Sequence, residues 1–128
     1  MLDMDLGSGE CGGYAVVALR GELDLIDAAD VADALETFAA REPRIIVDLA
    51  GLEFIDASGI AALVHGRRHA RDAGGDVLLA APQRLVRQVL AIIREGDGFA
   101  VHASVAEAAA GAGGSRPAVV PTAGGRPG

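Results

Sequence analysis

Apolar positions along this chain follow two rhythms, and the two alternate. Tyr14 to Leu19 is a near-continuous apolar run that leans toward β structure, and beyond Gly21 a short strand is expected at Glu22 to Leu25. Asp27 then reads as a helix N-cap. Val31, Ala34, Leu35, Phe38 and Ala39 follow it at helical spacing, with Asp30, Asp33 and Glu36 on the opposite face. Pro43 stops that helix, and Arg44 to Leu49 is an apolar run of the kind buried on both faces of a sheet. A second helix is expected from about Gly59 to Ala73 with Ile60, Leu63 and Val64 inward, and its second half carries Arg67, Arg68, His69 and Arg71. Val77 to Ala81 reads as a strand running into Pro82 at a helix start. The helix through Leu85, Val86, Val89, Leu90, Ile92 and Ile93 closes at Gly96. A strand near Phe99 to His102 and a short helix near Ser104 to Ala110 complete the pattern.

Strands separated by helices imply an α/β fold: a mixed, largely parallel sheet of about five strands packed by about four helices, the first two strands able to pair as a hairpin. Residues 13–110 form the expected domain. Residues 1–12 are expected to be a flexible arm, ordered only from about Cys11. Residues 111–128 hold six Gly and three Pro with Val119 and Val120 as the sizeable apolar side chains, so a disordered tail is expected there.

Composition narrows the function. Of 128 residues, 51% are hydrophobic, which excludes a wholly disordered chain. The first five residues lack the basic-then-apolar layout of a signal peptide, no apolar run reaches the ~20 residues that span a bilayer, and a lone Cys11 has no internal disulfide partner. A cytoplasmic location with no membrane partner is therefore expected; a monomer or weak dimer is expected as well. Charge is uneven: residues 1–60 carry 13 acidic and three basic side chains, whereas residues 61–110 carry five and six. The acidic half argues against binding a phosphate backbone, and 3% aromatics argue against a base-stacking platform, so no nucleic-acid partner is expected. The acidic face is either a solvated surface or a guide toward a basic patch on a protein partner.

The candidate chemistry centres on Ser58. It follows the apolar run Arg44 to Leu49 and opens the helix that ends near Gly74, a position where free backbone N–H groups and the positive dipole end hold an anionic oxygen or a phosphate. Ser is also a favoured N-cap, and the two roles are compatible. Other signals weaken on inspection. Gly7-Ser8-Gly9-Glu10-Cys11-Gly12 matches G-x-G-x-x-G but lacks the strand before it and the helix after it that a dinucleotide site requires. Ser58, Asp56 and His65 supply the ingredients of a hydrolase triad, yet Ala57-Ser58-Gly59 is not a nucleophile elbow, and His65 lies two helical turns on, roughly 10 Å away. His65 and His69 stand at i, i+4, a weak metal signal alone, and His102 adds no ligand spacing, so no metal is expected. Ile92 and Ile93 together are expected to leave a patch for a partner.

Three stretches together resemble the STAS domain, and most nearly its free-standing bacterial anti-sigma factor antagonists: Gly21-Glu22-Leu23-Asp24, then Ile46-Val47-Asp48-Leu49 through Phe54-Ile55-Asp56-Ala57-Ser58-Gly59, then Asp76-Val77-Leu78-Leu79 with the helix after it. The resemblance covers about residues 14–110. It departs from the family at position 57, Ala where a second hydroxyl is frequent, and at position 61, Ala where Gly is common. The resemblance implies a regulatory binding protein, not an enzyme, whose Ser58 is phosphorylated by a cognate anti-sigma factor of protein serine kinase type. Unphosphorylated, the surface of Asp24, Asp56, Ser58 and Gly59 would bind that partner and free its sigma factor; phosphorylated, it would release it. The kinase brings ATP and magnesium, so this chain is expected to need no cofactor. Asp24, at the end of the second strand, and Asp56 are expected beside Ser58, or alternatively each binds only local backbone N–H groups. The other implied role is a constitutive STAS subunit of a lipid-transport ATPase complex or a stress-signalling scaffold, with Ser58 only a helix cap.

Overall fold

The computed structural model describes residues 1–93 and 99–114. Five strands form one sheet in the order of the chain: β1 (Leu2–Cys11), β2 (Tyr14–Leu23), β3 (Arg44–Ile55), β4 (Asp76–Ala80) and β5 (Val101–His102). β1 and β2 are antiparallel, and every later neighbour pair is parallel. Helices α1 (Leu25–Arg41), α2 (Ala57–Asp72) and α3 (Arg84–Ile93) make the crossovers, and α4 (Val105–Gly114) follows β5. The expected mixed, mostly parallel sheet with four helices is the architecture observed.

Side-chain alternation along the strands builds two cores. Val17, Leu19, Ile45, Val47, Leu49, Val77 and Leu79 point to the face where α1, α2 and α3 supply Val31, Leu35, Ile60, Leu63, Val86 and Leu90. The intervening positions Ile46, Leu78 and Ala80, with Tyr14, face Ala108 and Ala109 of α4. β3 and β4 are therefore covered on both sides along Ile45-Ile46-Val47 and Val77-Leu78-Leu79-Ala80, which is why these stretches are continuous apolar runs and not alternating ones.

The structure differs from expectation at several boundaries, each for a local reason. Residues 1–12 are not a flexible arm. Leu2, Met4 and Leu6 alternate inward to pack on the main core, and β1 pairs with β2 from Leu2↔Gly21 to Cys11↔Tyr14, with an irregularity between Asp5 and Gly9. The hairpin is closed by Gly12-Gly13, both at positive φ (58° and 86°), the backbone twist that a two-residue turn between antiparallel strands demands. The expected hairpin between Tyr14–Leu19 and Glu22–Leu25 does not form. Those segments are one continuous strand, β2, which passes through Gly21 at φ 95°. β3 continues six residues beyond Leu49, because Arg20↔Gly51 through Leu23↔Ile55 extend the parallel ladder. α4 runs to Gly114, so 111–114 are helical where a tail was expected; residues 115–128 lie outside the described residues, as does the expected helix end at Gly96.

Native-state hydrogen exchange tests the first of these corrections. Amides of Leu2 to Asp5 that bond to β2 are expected to exchange at least about a hundredfold more slowly than the same residues in an unfolded chain, as paired strand amides do. Exchange at unfolded-chain rates would return this segment to the status of an arm.

Candidate functional site

The site forms where β2 and β3 end side by side. Leu23 pairs with Ile55, and the Asp56 N–H donates to the Leu23 carbonyl at 3.2 Å, so the residues just beyond each strand are held together. Each strand then passes directly into a helix, and each helix is opened by an aspartate. Asp24 is the N-cap of α1, its Oδ1 accepting from the Ile26 N–H at 3.0 Å. Asp56 is the N-cap of α2, its Oδ1 accepting from the Gly59 N–H at 2.9 Å. Two helix N-termini thus start next to each other at the carboxyl edge of the sheet, where sites of parallel α/β sheets are found.

This arrangement moves two caps from where the sequence placed them. Asp24, not Asp27, caps α1, and Asp56, not Ser58, caps α2. Ser58 is the second residue of α2, half-buried, and among the described residues no side-chain hydrogen bond engages its hydroxyl. The cap is a carboxylate, and the serine hydroxyl stands in the first turn beside it. Asp56→Ala is expected to lower stability by about 0.5–2 kcal/mol, whereas Ser58→Ala shifts it by no more than ~0.5 kcal/mol; urea unfolding of the two variants makes the comparison.

Gly59 is required by packing. A Cβ at this position would lie 2.8 Å from Leu23 Cγ, 2.8 Å from Ile55 Cγ1 and 2.9 Å from the Leu23 carbonyl oxygen, so α2 approaches the ends of β2 and β3 only because the side chain is absent. Gly59→Ala is expected to cost about 1–3 kcal/mol, since one of the three contacts is backbone and cannot turn aside; thermal unfolding reads it as a fall of several degrees.

Sequence reasoning missed two members of this surface. Leu25 and Ile26, the first two residues of α1, are 73% and 83% exposed, and Ala57 beside Ser58 is exposed as well. Large aliphatic side chains directly after a capping aspartate were the available signal, but an apolar pair after Leu23 also continues a strand pattern. Between α2 and α3 lies a cavity of about 690 Å³ lined by Ala57, Ile60, Ala61, Leu90 and Phe99 together with Arg68 and Arg87. Ile92 is exposed on α3, as expected for half of the proposed patch; Ile93's side chain lies outside the described residues.

The triad ingredients are not brought together. Asp56 is committed to the Gly59 N–H, and His65 Nε2 lies 2.8 Å from Glu36 Oε1 of α1. That hydrogen bond, with the charge of nearby His69, holds the Glu36 carboxyl below the ordinary carboxylate range.

A family model described as "Mlab, STAS domain" matches residues 9–97. The chain belongs to the STAS domain family. The anti-sigma-F factor antagonist RsfA of Mycobacterium tuberculosis is 31% identical over 91 residues, covering 68% of this chain and 70% of that protein. Among solved structures, an anti-sigma factor antagonist from Mycobacterium paratuberculosis superposes with a TM-score of 0.68 at 19% identity, covering 84% of this chain and 91% of that one. The Bacillus cell fate determinant SpoIIAA in its phosphorylated form gives 0.60 at 23% identity, covering 84% and 96%. These structural likenesses establish the STAS fold. Among the described residues, no helix is long and apolar enough to cross a membrane.

Proposed function

We propose that this chain is an anti-sigma factor antagonist that works by partner switching in the cytoplasm. With Ser58 unmodified, the surface formed by Asp24, Leu25, Ile26, Asp56, Ala57 and Ser58, with Gly59 buried beneath it, binds an anti-sigma factor of protein serine kinase type and so releases the sigma factor that partner holds. The partner then transfers the γ-phosphoryl group of its ATP to Ser58 Oγ, the hydroxyl proton is lost, ADP remains with the partner, and the complex dissociates. ATP and magnesium belong to the kinase, and this chain acts as protein substrate and ligand, not as an enzyme.

The observation that carries the reading is the division of labour at the start of α2. Asp56 caps the helix, so the Ser58 hydroxyl is not needed for capping and is available as a phosphoryl acceptor within a turn whose N–H groups and dipole favour the added charge. The likeness to RsfA, over most of both chains, supports the choice of partner class. The exposed aliphatic pair Leu25 and Ile26 gives the surface an apolar anchor beside the Asp24 cap, suited to an apolar patch on the partner.

A pull-down from source lysate, followed by phosphopeptide mass spectrometry of the bait, tests this. Recovery of a kinase-type ATPase together with phosphate on Ser58 is the expected result. Recovery of a transporter ATPase and permease, with Ser58 unmodified, would replace the switch with a constitutive subunit role.

A further inference from the structure

We propose that Glu36, His65 and His69 form a binding site for one divalent transition-metal ion of the zinc class, bridging α1 and α2. His65 and His69 stand one helical turn apart on α2, and Glu36 comes from the facing side of α1, 29 residues away in the chain. Both imidazoles turn the same atom toward the same oxygen: Nε2 of His65 is 2.8 Å and Nε2 of His69 is 3.7 Å from Glu36 Oε1. All three donor atoms lie within 4.8 Å of one another. Ligands held at about 2.0–2.2 Å around a tetrahedral ion are separated by roughly 3.3–3.6 Å, so shifts of about an ångström or less at the side-chain tips would seat the ion.

The backbone makes this convergence possible. Gly66 sits between the two histidines, and a Cβ there would lie 2.8 Å from Leu35 Cβ, so α1 and α2 approach closely next to Glu36. The imidazole rings are 4.6 Å apart and inclined at 53°. A shallow recess of about 370 Å³ beside Glu36 and His69 is bordered by Thr37 and Asp72, which leaves room for water and adds a further negative charge. Two nitrogen donors and one carboxylate oxygen suit Zn²⁺, Co²⁺ or Ni²⁺ over Ca²⁺ or Mg²⁺, and three protein ligands on a half-exposed face leave at least one position for exchangeable water. Because α1 and α2 both begin at the Asp24–Asp56 edge, an ion held at mid-helix would tie together the two elements that carry the proposed partner surface. The metal site does not depend on that function.

The test is calorimetric titration of Zn²⁺ into the untagged, metal-stripped full chain, with thermal unfolding alongside. One ion per chain and a rise of several degrees in the unfolding midpoint at saturating Zn²⁺ are expected, since an ion bound only by the folded state stabilises it. Glu36→Gln, His65→Ala and His69→Ala should each weaken binding at least about tenfold, while His102→Ala and Cys11→Ser leave it unchanged. On the unmodified protein, imidazole NMR should show Zn²⁺ moving the His65 and His69 resonances and not those of His102, a readout independent of how any variant folds. No heat of binding at millimolar Zn²⁺, equal affinity in all three ligand variants, or perturbation centred on His102 would each overturn the proposal.

Discussion

Ser58→Asp is expected to stay folded and to bind the proposed anti-sigma partner at least about a hundredfold more weakly than the unmodified chain. Two effects of the new charge oppose one another, and their magnitudes decide the outcome. Within the fold, a negative charge in the first turn of α2 meets free backbone N–H groups and the positive dipole end, a gain of roughly 0.3–1 kcal/mol at a half-exposed position. Across the interface, that charge must be desolvated next to Asp24 and Asp56, the caps of the two adjoining helices. Excluding water from this cluster of like charges strengthens their mutual repulsion by several kcal/mol, and about 1.4 kcal/mol is a factor of ten in affinity. The interface penalty exceeds the helix gain, so binding falls by about two to three orders of magnitude while stability holds. A phosphate, at about −1.5 to −2 charges, acts in the same direction with greater force. Ser58→Ala provides the contrast: it is expected to keep full affinity and to take up no phosphate. Calorimetric titration of both variants against the partner measures the difference. Full affinity in Ser58→Asp, together with phosphate uptake by Ser58→Ala, would place the switch at another residue.

What could be read from the sequence, and what could not, follows from how far each feature depends on distant residues. β3 and β4 were legible because a strand buried on both faces is a continuous apolar run, and Ile45 to Val47, with Leu49 after Asp48, and Val77 to Ala80 follow that pattern. The inward stripe of α1 was legible from spacing alone, and Val31, Leu35 and Ala39 are fully buried. β1 was hidden for the opposite reason. It is an edge strand, half-exposed and interrupted by Gly7 and Gly9, so its Leu2, Met4, Leu6 alternation is short and its glycines resemble those of a linker. Gly12-Gly13 was the stronger clue, since two glycines between β-prone segments close a hairpin economically. At the site, the neighbourhood of Asp56 and Ser58 was legible but the assignment of the cap was not. Both residue types cap well, they stand two positions apart, and helix starts are uncertain by that much in sequence. The Glu36–His65–His69 cluster was half-visible: the i, i+4 histidines could be read directly, whereas the carboxylate arrives only through the packing of α1 on α2.

Leu25→Ser combined with Ile26→Ser should lower partner affinity by about a hundredfold or more and leave the fold almost untouched. The stability side is secured by exposure. At 73% and 83% exposed, these side chains bury little in the isolated domain, so the unfolding free energy is expected to move by no more than about 0.5 kcal/mol for each. Asp24 still caps α1, because its hydrogen bond goes to the Ile26 backbone N–H and not to the side chain. The binding side follows from what the partner would cover. Fully burying a Leu or Ile side chain contributes about 1.5–3 kcal/mol, so losing two such anchors removes roughly 3–6 kcal/mol if both sit at the centre of the interface and about half that at its rim. The salt dependence separates this effect from that of Ser58→Asp. An apolar deletion should weaken binding by a similar factor at 50 mM and 500 mM salt, whereas a penalty of charge against charge is expected to shrink as ions screen it. If the double variant retains full affinity while Ser58→Asp loses it, the partner approaches from the other side of Ser58. The contact would then lie along the α2–α3 cavity, with Arg68 and Arg87 rather than the first turn of α1.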